Sequence, residues 1–243
     1  MKAIDPNNDP SSFYWSQGNN YLLLKALQQK IKWKCRIWCI VFGLAECIKR
    51  SLDIIGSLVG LILFSPIFLC ASLAIFFEDK GPVFFKQIRI GKQGRLFYIL
   101  KFRSMKMNAE SEKIHLEHLN QHKVGVTFKI QNDPRITKIG RFLRKTSLDE
   151  VPQFLNVLKG EMSLVGPRPP VPKEVAQYKA AQLRRLMVKP GITGLWQVSG
   201  RANIDFEGQV RLDLQYIHSE SIWQDIKILL LTLPAVLLGK GAY

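Results

Sequence analysis

The chain has 243 residues, enough for one membrane element and one soluble domain with a core of its own. Lysine and arginine number 35 against 19 aspartates and glutamates, a net charge of +16, which calls for an anionic partner: nucleic acid, anionic lipid or a phosphorylated substrate. No zinc spacing or RNA-recognition signature accompanies that charge, so nucleic acid ranks behind lipid and phosphate.

Residues 1–20 are polar and rich in Asn, Pro and Ser, and do not read as a cleaved signal peptide. Tyr21 to Lys49 has helical periodicity, with Trp33, Ile37, Ile40, Val41 and Leu44 at helix spacings among Lys30, Lys32, Lys34 and Arg36. An interfacial amphipathic helix is expected, a soluble helix packed on the main domain being the alternative. Cys35, Cys39, Cys47 and Cys70 all fall in or near this apolar third and form no CxxC pair; small apolar fillers are expected, not disulfides or a metal site.

Ile54 to Phe77 is a run of 24 uncharged residues, long enough to cross a bilayer as a straight helix, for which about 20 suffice. Ser65-Pro66 near its middle argues against a straight helix, because proline lacks the N–H a helix interior needs. Lys49 and Arg50 precede the run and Lys80, Lys86, Arg89, Lys92 and Arg95 follow it. Positive charge marks the cytoplasmic side, so both ends belong on the same side of the membrane. A helix that enters one leaflet, bends at Ser65-Pro66 and returns meets both demands; a spanning helix with a tolerated proline is the alternative.

Pro82 to Leu100 reads as a β-hairpin turning at Gly91-Lys92-Gln93-Gly94. Helices are predicted over Met105–His122, Arg135–Lys145, Ser147–Leu158, Lys173–Met187 and Phe206–His218, with loops over Val165–Pro172 and Pro190–Arg201. Ile222 to Leu238 is apolar and fits either a membrane-surface helix or a buried core helix.

The chemistry concentrates around Asp149 and Glu150. Ser147 with Glu150 three residues on has the form of a capping box, which alone gives the segment a structural purpose. Its neighbours add a chemical one. Arg141, Arg144 and Lys145 lie upstream, and Gly166-Pro167-Arg168-Pro169-Pro170 presents Arg168 downstream. A second glycine-rich segment, Lys189 to Arg201, carries Trp196 and ends in a cation. Adjacent carboxylates among arginines are the parts of a phosphoryl-transfer site: the carboxylates can hold Mg²⁺ or attack phosphorus, and the arginines neutralise the transferred group. Asp213 reads as a partner in a surface salt bridge. The histidines, His115, His118, His122 and His218, show no metal-ligand pattern, and neither a Ser-His-Asp arrangement nor a nucleotide-binding glycine loop is present.

With these residues in view, the chain resembles the bacterial sugar transferases, the monotopic phosphoglycosyl transferases that act on polyprenyl phosphate. The similar stretches are Lys49-Arg50-Ser51-Leu52-Asp53 leading to Ser65-Pro66, Gly81 to Gln87 with Arg89-Ile90-Gly91, Lys101 to Met105, Asp133 to Thr137, Ser147 to Gln153, Gly160 to Pro169, and Lys189 to Gly194 through Gly200-Arg201. They run in the family's order from about Lys49 to Tyr243. Larger relatives carry further membrane helices and another domain before this point, for which this chain is too short.

The resemblance implies an α+β fold, mainly helical and monotopic. It would comprise an N-terminal extension (1–48), a re-entrant membrane helix broken at Ser65-Pro66 (49–80) and a catalytic domain on the cytoplasmic face (81–243) with a small β-hairpin and surface amphipathic helices. It implies Asp149 as nucleophile and Glu150 as its acidic neighbour, with both holding Mg²⁺. Arg144, Arg168 and Arg201, together with Lys101 and Arg103, would bind phosphate. The implied reaction moves a sugar phosphate from a nucleotide-diphosphate sugar, by family habit a UDP-sugar, to polyprenyl phosphate at the inner membrane. The contrary reading is a non-catalytic scaffold binding lipid phosphates. The sequence leaves the sugar and the oligomeric state open, a homo-oligomer included.

Overall fold

The computed structural model describes residues 10–109, 111–112, 130, 133–200 and 204–237, with side chains from residue 24 onward. The chain forms two compact units, Met1–Lys49 and Arg50–Tyr243. The first is helical where described, within α1 (Pro10–Leu63). Its large apolar side chains, Trp33, Ile37, Ile40, Val41 and Leu44 among them, are exposed, and Trp38 stacks on Phe42 with centroids 5.5 Å apart. The four cysteines are free and exposed rather than filling a core.

In the second unit α1 ends at Leu63 and α2 (Ser65–Asp79) departs at a bend of 60°. The cause is local. Pro66 has no N–H to give the Ile62 carbonyl one turn back. The Ser65 hydroxyl donates to that carbonyl instead, at 2.8 Å. Phe64 N–H still reaches the Gly60 carbonyl at 2.9 Å and Phe68 N–H the Phe64 carbonyl at 2.8 Å, so the break is confined to one turn. Among the described residues no single helix is long and apolar enough to cross a membrane, but the bent pair Leu24–Leu63 and Ser65–Asp79 meets that requirement together.

The hairpin forms as predicted, from β1 (Phe84–Ile90) and β2 (Leu96–Phe102), paired antiparallel from Ile90↔Leu96 to Phe84↔Phe102. Alternation sends Phe97, Ile99 and Lys101 to one face and Leu96, Tyr98 and Phe102 to the other. Phe102 on the second face is covered by Phe68 of α2, edge-on at 4.9 Å. The helix predicted over Met105–His122 lies mostly outside the described residues. Next comes α3 (Lys138–Lys145), shorter than predicted because Thr137 caps it by accepting from Gly140 N–H at 2.9 Å.

The single helix predicted over Ser147–Leu158 is instead a 3₁₀ turn at Leu148–Glu150 followed by α4 (Gln153–Lys159). Asn156 of α4 is fully buried. Its Nδ2 donates to the Tyr98 carbonyl at 2.7 Å and its Oδ1 accepts from Leu100 N–H at 3.0 Å. The amide thus stands where a third strand would, closing the free edge of β2. Arg50 binds the C-terminal carbonyls of α4, Val157 at 2.6 Å and Leu158 at 2.7 Å.

The predicted loops hold more order than the sequence suggests. β3 (Ser163–Val165) pairs in parallel with a later strand from the glycine-rich segment. Between them, α5 (Pro172–Val175) and α6 (Ala180–Leu183) replace one predicted helix, because the side chains of Glu174 and Gln182 each accept a backbone N–H, from Val171 at 3.0 Å and Lys179 at 2.8 Å, and so start two helices. The later strand is β4 (Gly191–Thr193), where a Cβ on Gly191 would lie 2.1 Å from the Gly166 nitrogen. Then come α7 (Leu195–Ser199), α8 (Phe206–His218) and α9 (Ile222–Leu237). In α9 Ile228 is buried in the core, while Trp223, Leu230 and Leu233 are exposed. One core joins Phe97, Ile99, Val157, Met162, Leu164, Val165, Tyr216 and Ile228; a second joins Ala71, Ile75, Phe102, Leu143 and Val151. Phe154 packs against both.

Asn156→Ala should destabilise the protein by about 3 kcal/mol, since it strands a buried N–H and a buried carbonyl on β2. In a thermal unfolding experiment in detergent the midpoint should drop by roughly 6–12 °C; an unchanged midpoint would mean that the edge of β2 needs no closing group.

Candidate active site

Asp149 and Glu150 sit in the 3₁₀ turn between α3 and α4. The chain enters that turn through Ser147, whose φ of 56° is left-handed, an uncommon conformation for a residue with a side chain. The capping box expected of Ser147 and Glu150 does not form. A left-handed Ser147 cannot aim its hydroxyl at the following N–H groups, its side chain makes no cap bond, and the Glu150 carboxylate is engaged elsewhere. The acidic pair also does not occupy the first turn of an α-helix, since α4 begins only at Gln153.

What holds the pair is Lys101. It projects from the buried face of β2, donates to Glu150 Oε1 at 2.5 Å and lies 3.8 Å from Asp149 Oδ2. Asp149 is 8% exposed. Burial pushes its carboxyl up to about 6; Lys101 and Arg144 pull the other way, and the Glu150 charge adds to the rise. Burial acts on Glu150 too, but Lys101, Arg168 and a hydrogen bond from Gln153 outweigh it and hold that carboxyl below the ordinary range. One acid is therefore firmly ionised, while its neighbour titrates close to neutral pH.

A cleft of about 140 Å³ opens beside Glu150; its lining includes the cations Lys101, Arg168 and Arg89 and the uncharged Ile192, Trp196 and Gln197. Arg168 reaches it from the Gly166–Pro170 loop, its Nη1 3.5 Å from Glu174 Oε1. Arg89, which the sequence reading did not assign to the site, is 8% exposed. It donates to the Pro169 carbonyl at 2.8 Å and to Gln87 Oε1 at 2.6 Å, while its Nε has no hydrogen-bond partner among the described residues. Burial first, then the nearby Arg168 charge, lower its pKa to about 10. The signal was its place on β1: Arg89 pairs with Phe97 and shares the inward face with Lys101. Gln153 was also missed.

Other expected residues fall elsewhere. Arg103 follows the end of β2 and does not line the cleft; it lies 3.5 Å from Asp79 Oδ2 and donates to Met107 Sδ at 2.9 Å. Arg144 lies in the last turn of α3 and acts electrostatically on Asp149. Arg201 is outside the described residues. Asp213 is a salt-bridge partner as expected but a buried one, 2.6 Å from Arg185; burial raises it to about 6 against the pull of that arginine. A larger cleft, about 490 Å³, opens at the hairpin turn between Arg95 and Lys159 and does not contain the acidic pair. Among the described residues no cluster of three or more metal-binding side chains occurs, so any ion at Asp149 and Glu150 would draw its remaining ligands from substrate and water.

This chain belongs to the bacterial sugar transferase family, whose model matches residues 44–239. It is 56% identical over 200 residues to the galactosyl transferase CpsE of Streptococcus agalactiae serotype III, a match covering 80% of this chain and 43% of that protein. It is 44% identical over 209 residues to the UDP-glucose:undecaprenyl-phosphate glucose-1-phosphate transferase of Escherichia coli K12, covering 83% and 42%. With the exopolysaccharide production protein ExoY of Rhizobium meliloti it shares 43% identity over 198 residues, covering 80% and 88%. The chain thus spans less than half the length of the first two and most of the third.

The charge arrangement has a pH consequence. An acid raised to about 6 is available as a carboxylate above that pH and lost below it. Activity that needs Asp149 ionised should therefore fall as pH drops through about 6. Lys101→Met removes a cation that lowers Asp149, so the acidic limb should move to higher pH by roughly 1–2 units, while Lys101→Arg should leave it near the wild-type position. Matching limbs in wild type and Lys101→Met would disconnect Lys101 from the titration.

Proposed function

We propose that the chain is a phosphoglycosyl transferase that moves a hexose phosphate from a UDP-hexose to a polyprenyl phosphate through a covalent intermediate on Asp149. The observation that carries this is the buried Asp149 and half-buried Glu150, joined through Lys101 at the edge of an arginine-lined cleft. Relatives named for UDP-glucose, undecaprenyl phosphate and galactosyl transfer support the choice of substrates.

In the first step an Asp149 carboxylate oxygen attacks the β-phosphorus of the donor. The bond from that phosphorus to the bridging oxygen breaks, and UMP departs with the electron pair. In the second step an oxygen of the polyprenyl phosphate attacks the same phosphorus, the acyl phosphate bond breaks, and Asp149 is regenerated as a carboxylate. Arg168 and Arg89 hold the diphosphate against its own negative charge. Lys101 keeps Glu150 ionised and lowers the cost of ionising Asp149. The pair fits Mg²⁺, a hard ion that takes one or two carboxylates plus substrate phosphates; when bound it would neutralise charge on the diphosphate. A scaffold that merely binds lipid phosphate needs cations but no buried acid beside them.

The bend supports a re-entrant placement in the membrane. A 60° change of direction leaves an angle of about 120° between the legs. If the V enters symmetrically, each leg slopes about 30° to the bilayer plane. The 15-residue α2 is then roughly 22 Å long and reaches only about 11 Å deep, within one leaflet of about 15 Å. Apolar side chains fully consistent with lipid contact, Ile62, Leu63, Leu69 and Phe77, are exposed near and along the legs. Both ends then stay on the basic, cytoplasmic side of the inner membrane.

Mass spectrometry of protein quenched after donor alone should find a hexose-phosphate adduct on Asp149, with UMP released before any lipid acceptor is added. Asp149→Asn should give neither, because an amide does not attack as a carboxylate does. Release of UMP only when both substrates are present would refute the covalent route. For topology, an N-terminal epitope on the wild type should be reachable only after permeabilisation, and the Ser65→Ala/Pro66→Ala variant should expose it on intact cells. Exposure of the wild-type epitope on intact cells would make the helix a spanning one.

A further inference from the structure

The lining of the catalytic cleft is mixed in kind. Its cations have an evident use in holding phosphate. Two uncharged residues of its lining carry polar atoms that the proposed reaction does not employ. Trp196 is 9% exposed, and its Nε1 is buried with no hydrogen-bond partner among the described residues. The Oε1 of the adjacent Gln197 is likewise buried and unpartnered among them. Both residues line the cleft.

These two atoms have fixed and opposite roles. An indole N–H can only donate. The Gln197 amide orientation is set by its Nε2, which donates to the Ile192 carbonyl at 3.0 Å, a group that can only accept. Its Oε1 is therefore an acceptor. Leaving a buried donor and a buried acceptor unmatched costs on the order of 1–3 kcal/mol each, so native interiors rarely do so outside functional sites. A hydroxyl group is the neutral partner that can serve both kinds of atom, accepting from an indole N–H and donating to an amide oxygen. The indole ring adds an apolar surface of the kind a pyranose covers with its C–H face.

We propose that Trp196 and Gln197 form a neutral subsite that reads a hydroxyl of the hexose being transferred. This rests on the transferase reading above. Size and connectivity choose the hexose over the nucleoside. The cleft is about 140 Å³ and contains both Glu150 and the Trp196–Gln197 wall. The hexose is bonded directly to the phosphate that Asp149 attacks, whereas the base is separated from it by a second phosphate and a ribose. The group within reach of the wall when the β-phosphate lies at the acidic pair is thus the sugar.

The test uses the full chain in detergent with UDP-glucose, UDP-galactose and their monodeoxy analogues as donors, and UMP as a competing ligand. On the wild type, one deoxy position should lower kcat/KM about 10- to 100-fold relative to its parent donor. On Trp196→Phe, which keeps an aromatic ring but loses the N–H, the parent donor should lose a similar factor and that same deoxy analogue should lose little further. Gln197→Met should behave alike, and inhibition by UMP should be unchanged in both variants. Weakening of UMP inhibition by the same factor as turnover would show that the base or ribose is read, and would overturn the proposal. So would a deoxy series that is flat on the wild type, a result that needs no variant to fold. Turnover with a flat series removes only the subsite. A wild-type protein that forms neither adduct nor product with any of these donors removes the transferase reading as well.

Discussion

Two carboxylates on consecutive residues, one buried and the other half-buried, do not share a turn cheaply without a cation between them. Each loses hydration on burial, and each raises the cost of ionising the other. Lys101 is the cation that resolves this conflict, and it does so unequally. It bonds Glu150 at 2.5 Å and stands off Asp149 at 3.8 Å. Glu150 is thereby held ionised while burial leaves Asp149 near 6. Two chemically similar side chains acquire different protonation behaviour from one asymmetric contact, the device by which carboxylate pairs take on separate roles. The position of Lys101 in turn depends on strand register. A slip of one residue would send it to the face that Phe102 occupies, away from the acids. The hairpin and the acidic turn are in this sense a single structure.

How much of this was legible in the sequence depended on how local the cause was. The hairpin carried its own turn and alternation, and the break at Ser65-Pro66 carried its own missing N–H, so both were read correctly. The acidic pair with Arg168 was also recognisable. The capping box failed because its spacing is a necessary condition and not a sufficient one: Ser147 turned left-handed, and a lysine 49 positions away along the chain took the glutamate. β3 and β4 were invisible because each is three residues long and they pair across the intervening α5 and α6, so neither shows a period of its own. Arg103 lies two residues beyond Lys101 and by alternation should share its face. The strand ends at Phe102, and alternation ends with it. Arg89 and Gln153 stood in stretches that resemble the family but had no role assigned to them; the pairing of β1 with β2, and the start of α4, bring them to the acids.

The short helix α4 links regions that the chemistry requires to be in register. Gln153 at its start bonds Glu150. One residue on, Phe154 lies against α1 where Gly60 leaves room: a Cβ there would come within 2.8 Å of the ring, and the same ring stacks on Phe64 at 6.4 Å. Two residues further, Asn156 closes the edge of β2, the strand that delivers Lys101. At the other end, Arg50 of α1 covers the helix carbonyls, while Asp53 accepts from Ser163 Oγ and Leu164 N–H at 2.9 Å each. The bent apolar segment, the hairpin and the acidic turn are therefore fixed to one another through seven residues of α4 and the start of β3.

That rigidity suits a reaction whose two substrates come from different phases. A donor from water and an acceptor from lipid could meet only if both were held at once, or if one site served them in turn. The proposed covalent intermediate would need only the second arrangement: the phosphorus would stay on Asp149 while UMP left and the lipid phosphate arrived at the same cations. The demand on the fold is then not a large closing motion but a constant distance between a buried acid and the membrane surface. A helix wedged between the broken segment and the lysine-bearing strand, with every turn bonded to one or the other, supplies that constancy. In the proposed reaction both nucleophiles would attack the same phosphorus in turn, so the sugar carried on it could stay against the same uncharged residues of the cleft through both steps.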